Sequence, residues 1–309
     1  MILGDIMVLT INNVTKSFGE KSVLKGISFS AESGKAIGIL GRNGAGKTTL
    51  IRIIMDVFGA DSGTVELNGK PITEQKVKIG YLPEERGLYP KKKILEQLIY
   101  FAALQGIDKK TAIKNADTLF KRLEIEEYKN RRLDTLSKGN QQKVQLIATL
   151  ITDPDIIILD EPFSGLDPVN ASLLKELVKD LISNGKLVLF SSHQMNYIEE
   201  FCNEILILNG GKIVLGGSIK EIKRSYARNI IEVITDDAVS LAALLNSSDF
   251  NFIKRTLVDE DKITITLTDE NCKNKLMEAL SKFGNNIDGF NVKEPTLNEI
   301  FVSYTEGQI

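Results

Sequence analysis

The sequence predicts an α/β fold followed by a smaller α+β domain, and three observations carry that prediction. A glycine-rich loop, Gly41-Arg42-Asn43-Gly44-Ala45-Gly46-Lys47-Thr48-Thr49, lies between an apolar run, Ala36 to Leu40, and a helix-like one, Leu50 to Phe58. Apolar strand-like runs downstream alternate with helical stretches, the pattern of a parallel sheet with crossover helices. After about Arg228 the order becomes β-α-β-β-α-β, the ferredoxin-like pattern.

The elements follow in order. Val8 to Phe18 and Val23 to Ala31 read as strands with Gly19-Glu20 between them. Thr64 to Leu67 followed by Asn68-Gly69 is a hairpin signal with its favoured turn residues. Lys78 to Leu82 is a short strand. From about Lys93 to Leu150 the period turns helical, with one stripe of Leu95, Leu98, Ile99, Ala102 and Ala103 and another of Ala116, Leu119, Phe120 and Leu123. Both stripes are read as core. Asp155 to Leu159 is an uninterrupted apolar strand, predicted to be buried on both faces. A helix, about Ala171 to Asn184, the strand Lys186 to Phe190 and a hairpin, Glu204 to Leu215 around Asn209-Gly210-Gly211, complete the first domain. Lys220 to Arg228 is read as a connector with a solvated basic face. Beyond it come strand Ile230 to Thr235, helix Val239 to Asn246, strands Phe250 to Val258 and Lys262 to Thr268, helix Asn271 to Phe283, strand Ile287 to Val292, and a last helix opened by Pro295. The predicted domains are 7–227 and 228–309, with a helical subdomain at about 93–150.

Composition bounds the class. The 309 residues are 42% hydrophobic and 26% charged, as in a globular protein, and the net charge of -2 makes no electrostatic case for nucleic acid or an anionic membrane. Cys202 and Cys272 lie far apart, match no metal-ligand spacing and are read as reduced thiols. No stretch reaches the roughly 18 apolar residues of a membrane span, so work at a membrane requires a partner. The start, Met1 to Ile6, does not read as a signal peptide, and Met7 is a second candidate translation start.

The glycine loop matches the phosphate-cradle pattern G-x-x-x-x-G-K-[ST] in the strand–loop–helix setting that the chemistry needs. Glycines let backbone N–H groups turn inward around phosphate oxygens, and the helix N-terminus adds about half an elementary positive charge behind them. Lys47 is expected to reach the β- and γ-phosphates, and the Thr48 hydroxyl to ligate Mg²⁺. Ile156-Ile157-Ile158-Leu159-Asp160-Glu161-Pro162 then sets two carboxylates at a strand end. Phosphoryl transfer from ATP needs a Mg²⁺ ligand, suited to Asp160, and a group that orients and deprotonates water, suited to Glu161.

Leu136-Ser137-Lys138-Gly139-Asn140-Gln141-Gln142 precedes a helix expected at about Lys143 to Thr152, between the phosphate loop and Asp160-Glu161. With this segment in place, the chain resembles the ATP-binding subunit of ABC transporters. The features that carry the resemblance are Phe18, the phosphate loop, the Ser137 segment, Asp160-Glu161, Ser164-Gly165-Leu166-Asp167 and His193. They span about Phe18 to His193, and the resemblance covers about Met7 to Gly217. The resemblance implies a P-loop NTPase core of the ABC type, with an antiparallel β subdomain and an α-helical subdomain, that binds ATP and Mg²⁺. It implies two such domains paired head to tail, with ATP between the phosphate loop of one and Ser137, Gly139 and Asn140 of the other. Asp167 would order the facing subunit, His193 would contact the γ-phosphate and steady the attacking water, and Phe18 would stack on adenine. Three positions depart from the family pattern. Lys138 and Asn140 stand where a glycine and a glutamine are usual, and Glu84 stands where glutamine usually meets Mg²⁺ and the transmembrane partner. A carboxylate still ligates Mg²⁺ but changes the charge of the site.

Pro83 to Pro90, Ser137 to Lys143 and the ending Pro295-Thr296-Leu297-Asn298-Glu299-Ile300-Phe301 look like the exporter branch that includes bacterial sodium-extrusion and drug-resistance ATPases. That likeness implies a separately encoded permease, a position on the cytoplasmic face of the membrane held through it, and a C-terminal module that strengthens dimerisation or regulates closure. The alternative is a soluble ABC ATPase acting on nucleic acid or the ribosome. Against it stand the short interval between phosphate loop and Ser137, the single cassette and the absence of zinc-type cysteines. A non-catalytic regulatory subunit is disfavoured because Lys47, Asp160, Glu161 and His193 are all present. Cargo is chosen elsewhere, since no residue here touches it.

Overall fold

The structure is a computed structural model that describes residues 6–85, 87–226, 228–246, 250–281 and 287–306. The chain divides into two compact units. One runs up to Ile219 and includes the segment from Phe301 onward; the other spans Lys220–Ile300.

The first unit begins with β1 (Val8–Phe18) and β2 (Lys21–Glu32), an antiparallel pair whose buried Leu9, Ile11, Leu24 and Ile27 face inward. Strand β3 (Ala36–Gly41) leads into the glycine loop and helix α1 (Lys47–Ile54). The hairpin β4 (Ser62–Leu67) and β5 (Lys70–Pro71) turns at Asn68-Gly69, with φ of 51° and 74°, and extends the antiparallel sheet to the order β2-β1-β4-β5. After β6 (Ile79–Leu82) come helices α2 (Ile94–Leu104), α3 (Lys109–Arg122) and α4 (Lys138–Leu150). Leu98, Ala102, Ala116, Phe120 and Leu123 are buried as their period requires, but Ala103 is exposed; Ile94 and Gln97 take the buried places on α2. The buried Gln97 amide is satisfied by accepting a hydrogen bond from the Tyr89 N–H at 3.0 Å. Helix α4 begins five residues before the expected Lys143, because Ser137 caps it and Gly139 and Asn140 form its first turn.

The remaining elements are β7 (Ile156–Asp160), α5 (Pro168–Ser183), β8 (Leu187–Ser191), α6 (Met195–Phe201), β9 (Glu204–Asn209), β10 (Lys212–Ser218) and α7 (Ile219–Ser225). The basic segment expected as a connector is therefore largely helical. The central sheet runs β10-β9-β3-β8-β7-β6, parallel throughout except for the edge strand β10. Every residue of β7 and β8 is buried, as in strands covered on both faces.

The second unit holds β11 (Ile230–Thr235), α8 (Ala238–Leu245), β12 (Ile253–Asp259), β13 (Lys262–Leu267), α9 (Lys273–Ser281) and β14 (Ile287–Val292). Their antiparallel order, β12-β13-β11-β14, is that of the ferredoxin-like pattern. Alternate residues of β11 and β13, Ile231, Val233, Ile263, Ile265 and Leu267, pack with Leu241, Leu245, Leu276 and Leu280 of the two helices in a core of their own. Helix α9 is preceded by a 3-10 turn at Glu270–Cys272 and reaches Ser281; the residues expected to end it lie outside those described. Helix α10 (Leu297–Thr305) closes the chain.

Candidate functional site

Four neighbouring parallel strands, β3, β8, β7 and β6, deliver the candidate residues from their carboxyl ends. The glycine loop follows β3, Ser192 and His193 follow β8, Asp160 and Glu161 end β7, and Glu84 follows β6. A parallel sheet brings distant sequence segments to one edge in this way, and ligands of such sheets bind there. Together these residues line a cleft of about 780 Å³ that also takes in Phe18, Lys21 and Val23. Ala45, inside the glycine loop, does not line it; its side chain packs into the core with Leu24 and Leu208.

At the loop, Gly46 has φ 110° and precedes α1 without any side-chain cap, so the first amides of the helix are left for a ligand. The Lys47 ammonium donates to the Gly41 carbonyl at 2.5 Å and towards that of Arg42 at 3.4 Å. Burial lowers its pKa, against the opposite pull of Asp160, Glu161 and Glu84. Burial also raises the pKa of Asp160, and the negative Glu84 and Glu161 add to this. Tyr81 donates towards Asp160 at 3.5 Å, and its phenol is pushed up to about 12 by burial first and by that carboxylate second. The three carboxylates that act on Lys47, those of Asp160, Glu161 and Glu84, suit a divalent cation beside it. No cluster of three or more His, Cys, Asp or Glu side chains suited to a metal exists among the described residues, so such an ion would draw much of its coordination from water and phosphate, as Mg²⁺ does.

Glu161 is held most closely. Its backbone sits at φ 51°, its N–H donates to the Ser191 carbonyl at 2.8 Å, and its side chain is nearly buried. Oε1 accepts from the His193 N–H at 2.7 Å and lies 2.8 Å from His193 Nδ1; Oε2 accepts from the Ser192 hydroxyl at 2.9 Å. The His193 side chain is otherwise exposed at the rim. Phe18 stands half exposed with its ring edge-on to Phe58 at 5.7 Å, and the Lys16 ammonium lies over both rings. Arg42 turns from the loop to an ion pair with Glu306, and near it Asn209 Nδ2 donates to the Tyr304 carbonyl at 3.0 Å.

Ser137, Gly139, Asn140 and Asp167 do not line this cleft. They gather at the starts of two helices instead. Ser137 caps α4 by accepting from the Asn140 N–H at 3.3 Å, and Asp167 caps α5 by accepting from Val169 and Asn170 at 3.0 Å. The two starts adjoin, since a Cβ on Gly139 would lie 3.2 Å from Asn170 Nδ2. Ser192, Tyr81, Lys21 and Val23 were not singled out from the sequence. Ser192 carried a faint signal as the residue before His193 at a strand end; the others carried none. No helix among the described residues is long and apolar enough to cross a membrane.

The family described as ABC transporter matches residues 24–164, and the C-terminal domain of ATP-binding protein DrrA1-3-like matches 217–305. The uncharacterized ABC transporter ATP-binding protein YhaQ of Bacillus subtilis is 41% identical over 96% of this chain and 97% of its own length. The linearmycin resistance ATP-binding protein LnrL of the same organism is 29% identical over 96% and 98%. Among solved structures, an ATP binding subunit of an ABC transporter superposes with a TM-score of 0.65 at 26% identity, covering 71% of this chain and 92% of that one.

Proposed function

The chain belongs to the ATP-binding proteins of ABC transporters, and from that premise we propose how its residues turn ATP hydrolysis into transport. It binds ATP and hydrolyses it to power transport with a transmembrane component. In the proposed path, adenine stacks on Phe18, and the amides of the loop from Gly41 to Thr49 together with Lys47 hold the phosphates. The Thr48 hydroxyl, Asp160 and Glu84 are the oxygen donors that would hold Mg²⁺, and the ion would supply positive charge to offset the charge that develops on the transferred phosphoryl group. Glu161 takes a proton from water as the water oxygen bonds to the γ-phosphorus. The bond to the bridging oxygen breaks, and ADP leaves with its electron pair. His193 contacts the γ-phosphate from the rim.

Two copies pair head to tail in this proposal, so that the adjoining helix starts at Ser137 and Asp167 meet the cleft of the facing copy. Their absence from the chain's own cleft supports that arrangement. ATP binding closes the pair and hydrolysis reopens it. The loop from Glu84 to Tyr89 carries the change to a separate permease at the cytoplasmic face. Export is the proposed direction, as drug-resistance and Nod factor export proteins are among the relatives.

The observation that carries the mechanism is the Glu161 carboxylate, fixed beside His193 in the cleft that the phosphate loop also lines. Its test is steady-state ATPase activity and size-exclusion chromatography in ATP and Mg²⁺. Glu161→Gln is expected to lower kcat by at least about a hundredfold, the scale of a general base, and to elute as an ATP-dependent dimer. A variant that hydrolyses like the wild type would remove Glu161 from the mechanism.

A further inference from the structure

We infer that Ser192 is a positioning residue for the Glu161 carboxylate. The inference rests on the proposed role of Glu161 as general base and adds to it the group that aims the base. A hydroxyl carries one proton. The Gln194 N–H donates to Ser192 Oγ at 3.1 Å, so this oxygen is already an acceptor on that side. Its proton is then directed to Glu161 Oε2 at 2.9 Å.

The two groups that hold Glu161 from the β8 end differ in their freedom. The Ser192 residue is 5% exposed and lies directly after the buried strand β8. The His193 side chain is 74% exposed. The His193 backbone N–H holds Oε1 at 2.7 Å and the Ser192 hydroxyl holds Oε2, and neither contact depends on where the exposed His193 ring points. A glutamate has three side-chain torsions, and a base is effective only with its oxygen held within reach of the water. Ser192 thus fixes Oε2, while Oε1 is held by the His193 N–H, and the two contacts together set the direction of the carboxylate. The left-handed backbone of Glu161, at φ 51°, is a further sign that this side chain's direction is imposed by its surroundings.

The experiment compares the full-length wild type with Ser192→Ala, Ser192→Thr and Glu161→Gln. It reads kcat, KM and equilibrium affinity for a fluorescent ATP analogue. A lost hydrogen bond to a charged group predicts a roughly ten- to hundredfold lower kcat for Ser192→Ala, with KM and nucleotide affinity unchanged. Ser192→Thr, which keeps the hydroxyl, is expected to recover most of the rate. The inference is overturned if Ser192→Ala keeps the wild-type kcat, if Ser192→Thr is no faster than Ser192→Ala, or if affinity falls with kcat. That last outcome would mark the hydroxyl as a brace for the turn at Gln194 only. Glu161→Gln separates the two ideas. If it is inactive while Ser192→Ala is fully active, only the positioning role fails; if it is active, the general-base reading fails.

Discussion

Glu161 and Gly46 both have positive φ, for opposite reasons. Glu161, at 51°, sits where a non-glycine side chain is uncommon, and its carboxylate is held there by Ser192 and His193. Gly46, at 110°, sits where a side chain is strained, and a Cβ would also come within 2.7 Å of Leu24 Cδ2. The close approach matters because β2, which carries Leu24, backs the loop against the antiparallel sheet. Gly46→Ala is therefore expected to distort the phosphate loop and weaken ATP binding by about tenfold or more, for a backbone strain of roughly 1–2 kcal/mol. Titration with a fluorescent ATP analogue measures this; wild-type affinity would mean that the loop absorbs a methyl group without moving its amides.

Among the elements, α4 does two things. Its start carries Ser137, Gly139 and Asn140, and its buried body binds the sheet edge that bears Glu84. Gln145 Nε2 donates to the Glu85 carbonyl at 3.1 Å, and Thr149 Oγ1 to that of Tyr81 at 3.1 Å. One packed helix thus connects the loop after β6 to the segment that carries Ser137, Gly139 and Asn140. The helical stripes were legible from period alone, and Phe120, on α3, is 1% exposed as its spacing requires. Gln97 and Gln145 were not, because a buried glutamine becomes visible only when its partner carbonyl is known. Phe120→Ala is expected to cost about 3–5 kcal/mol of stability through the cavity it leaves. Denaturant unfolding would measure it, and a loss below about 1 kcal/mol would mean that the neighbouring helices collapse onto the gap.

At the scale of the whole molecule, two cores do separate work. The large unit holds the cleft, and the smaller has its own apolar cluster built from alternate residues of β11 and β13. Local opening follows such cores. Ile265→Ala, at a position of 0% exposure, is expected to destabilise the smaller unit by about 2–5 kcal/mol. Faster hydrogen exchange should then be confined to the strands of that unit, with ATP binding retained. Exchange that rises equally in β3 and β7 would show that the units unfold together. The chain end complicates truncation, because the segment from Phe301 belongs with the large unit and brings Glu306 to Arg42. A chain ending near Tyr226 loses that contact along with the smaller unit.

What the sequence determined by itself was the chemistry that depends on neighbours in the chain. The phosphate loop, the strand ending in Asp160-Glu161 and the β-α-β-β-α-β order are local patterns, because turn geometry, strand alternation and helical period are set within a few residues. Fold class followed from these, and the family from the first two together with Phe18, the Ser137 segment, Ser164 to Asp167 and His193. Which side chains meet was decided by the folded topology. The parallel order β3-β8-β7-β6 brings Ser192 to Glu161, thirty-one positions apart in the chain, and Tyr81 to Asp160, seventy-nine apart. It also leaves Ser137 and Asp167 outside the cleft. Hydrogen bonds across such spans depend on strand order and register, which no local stretch of residues records.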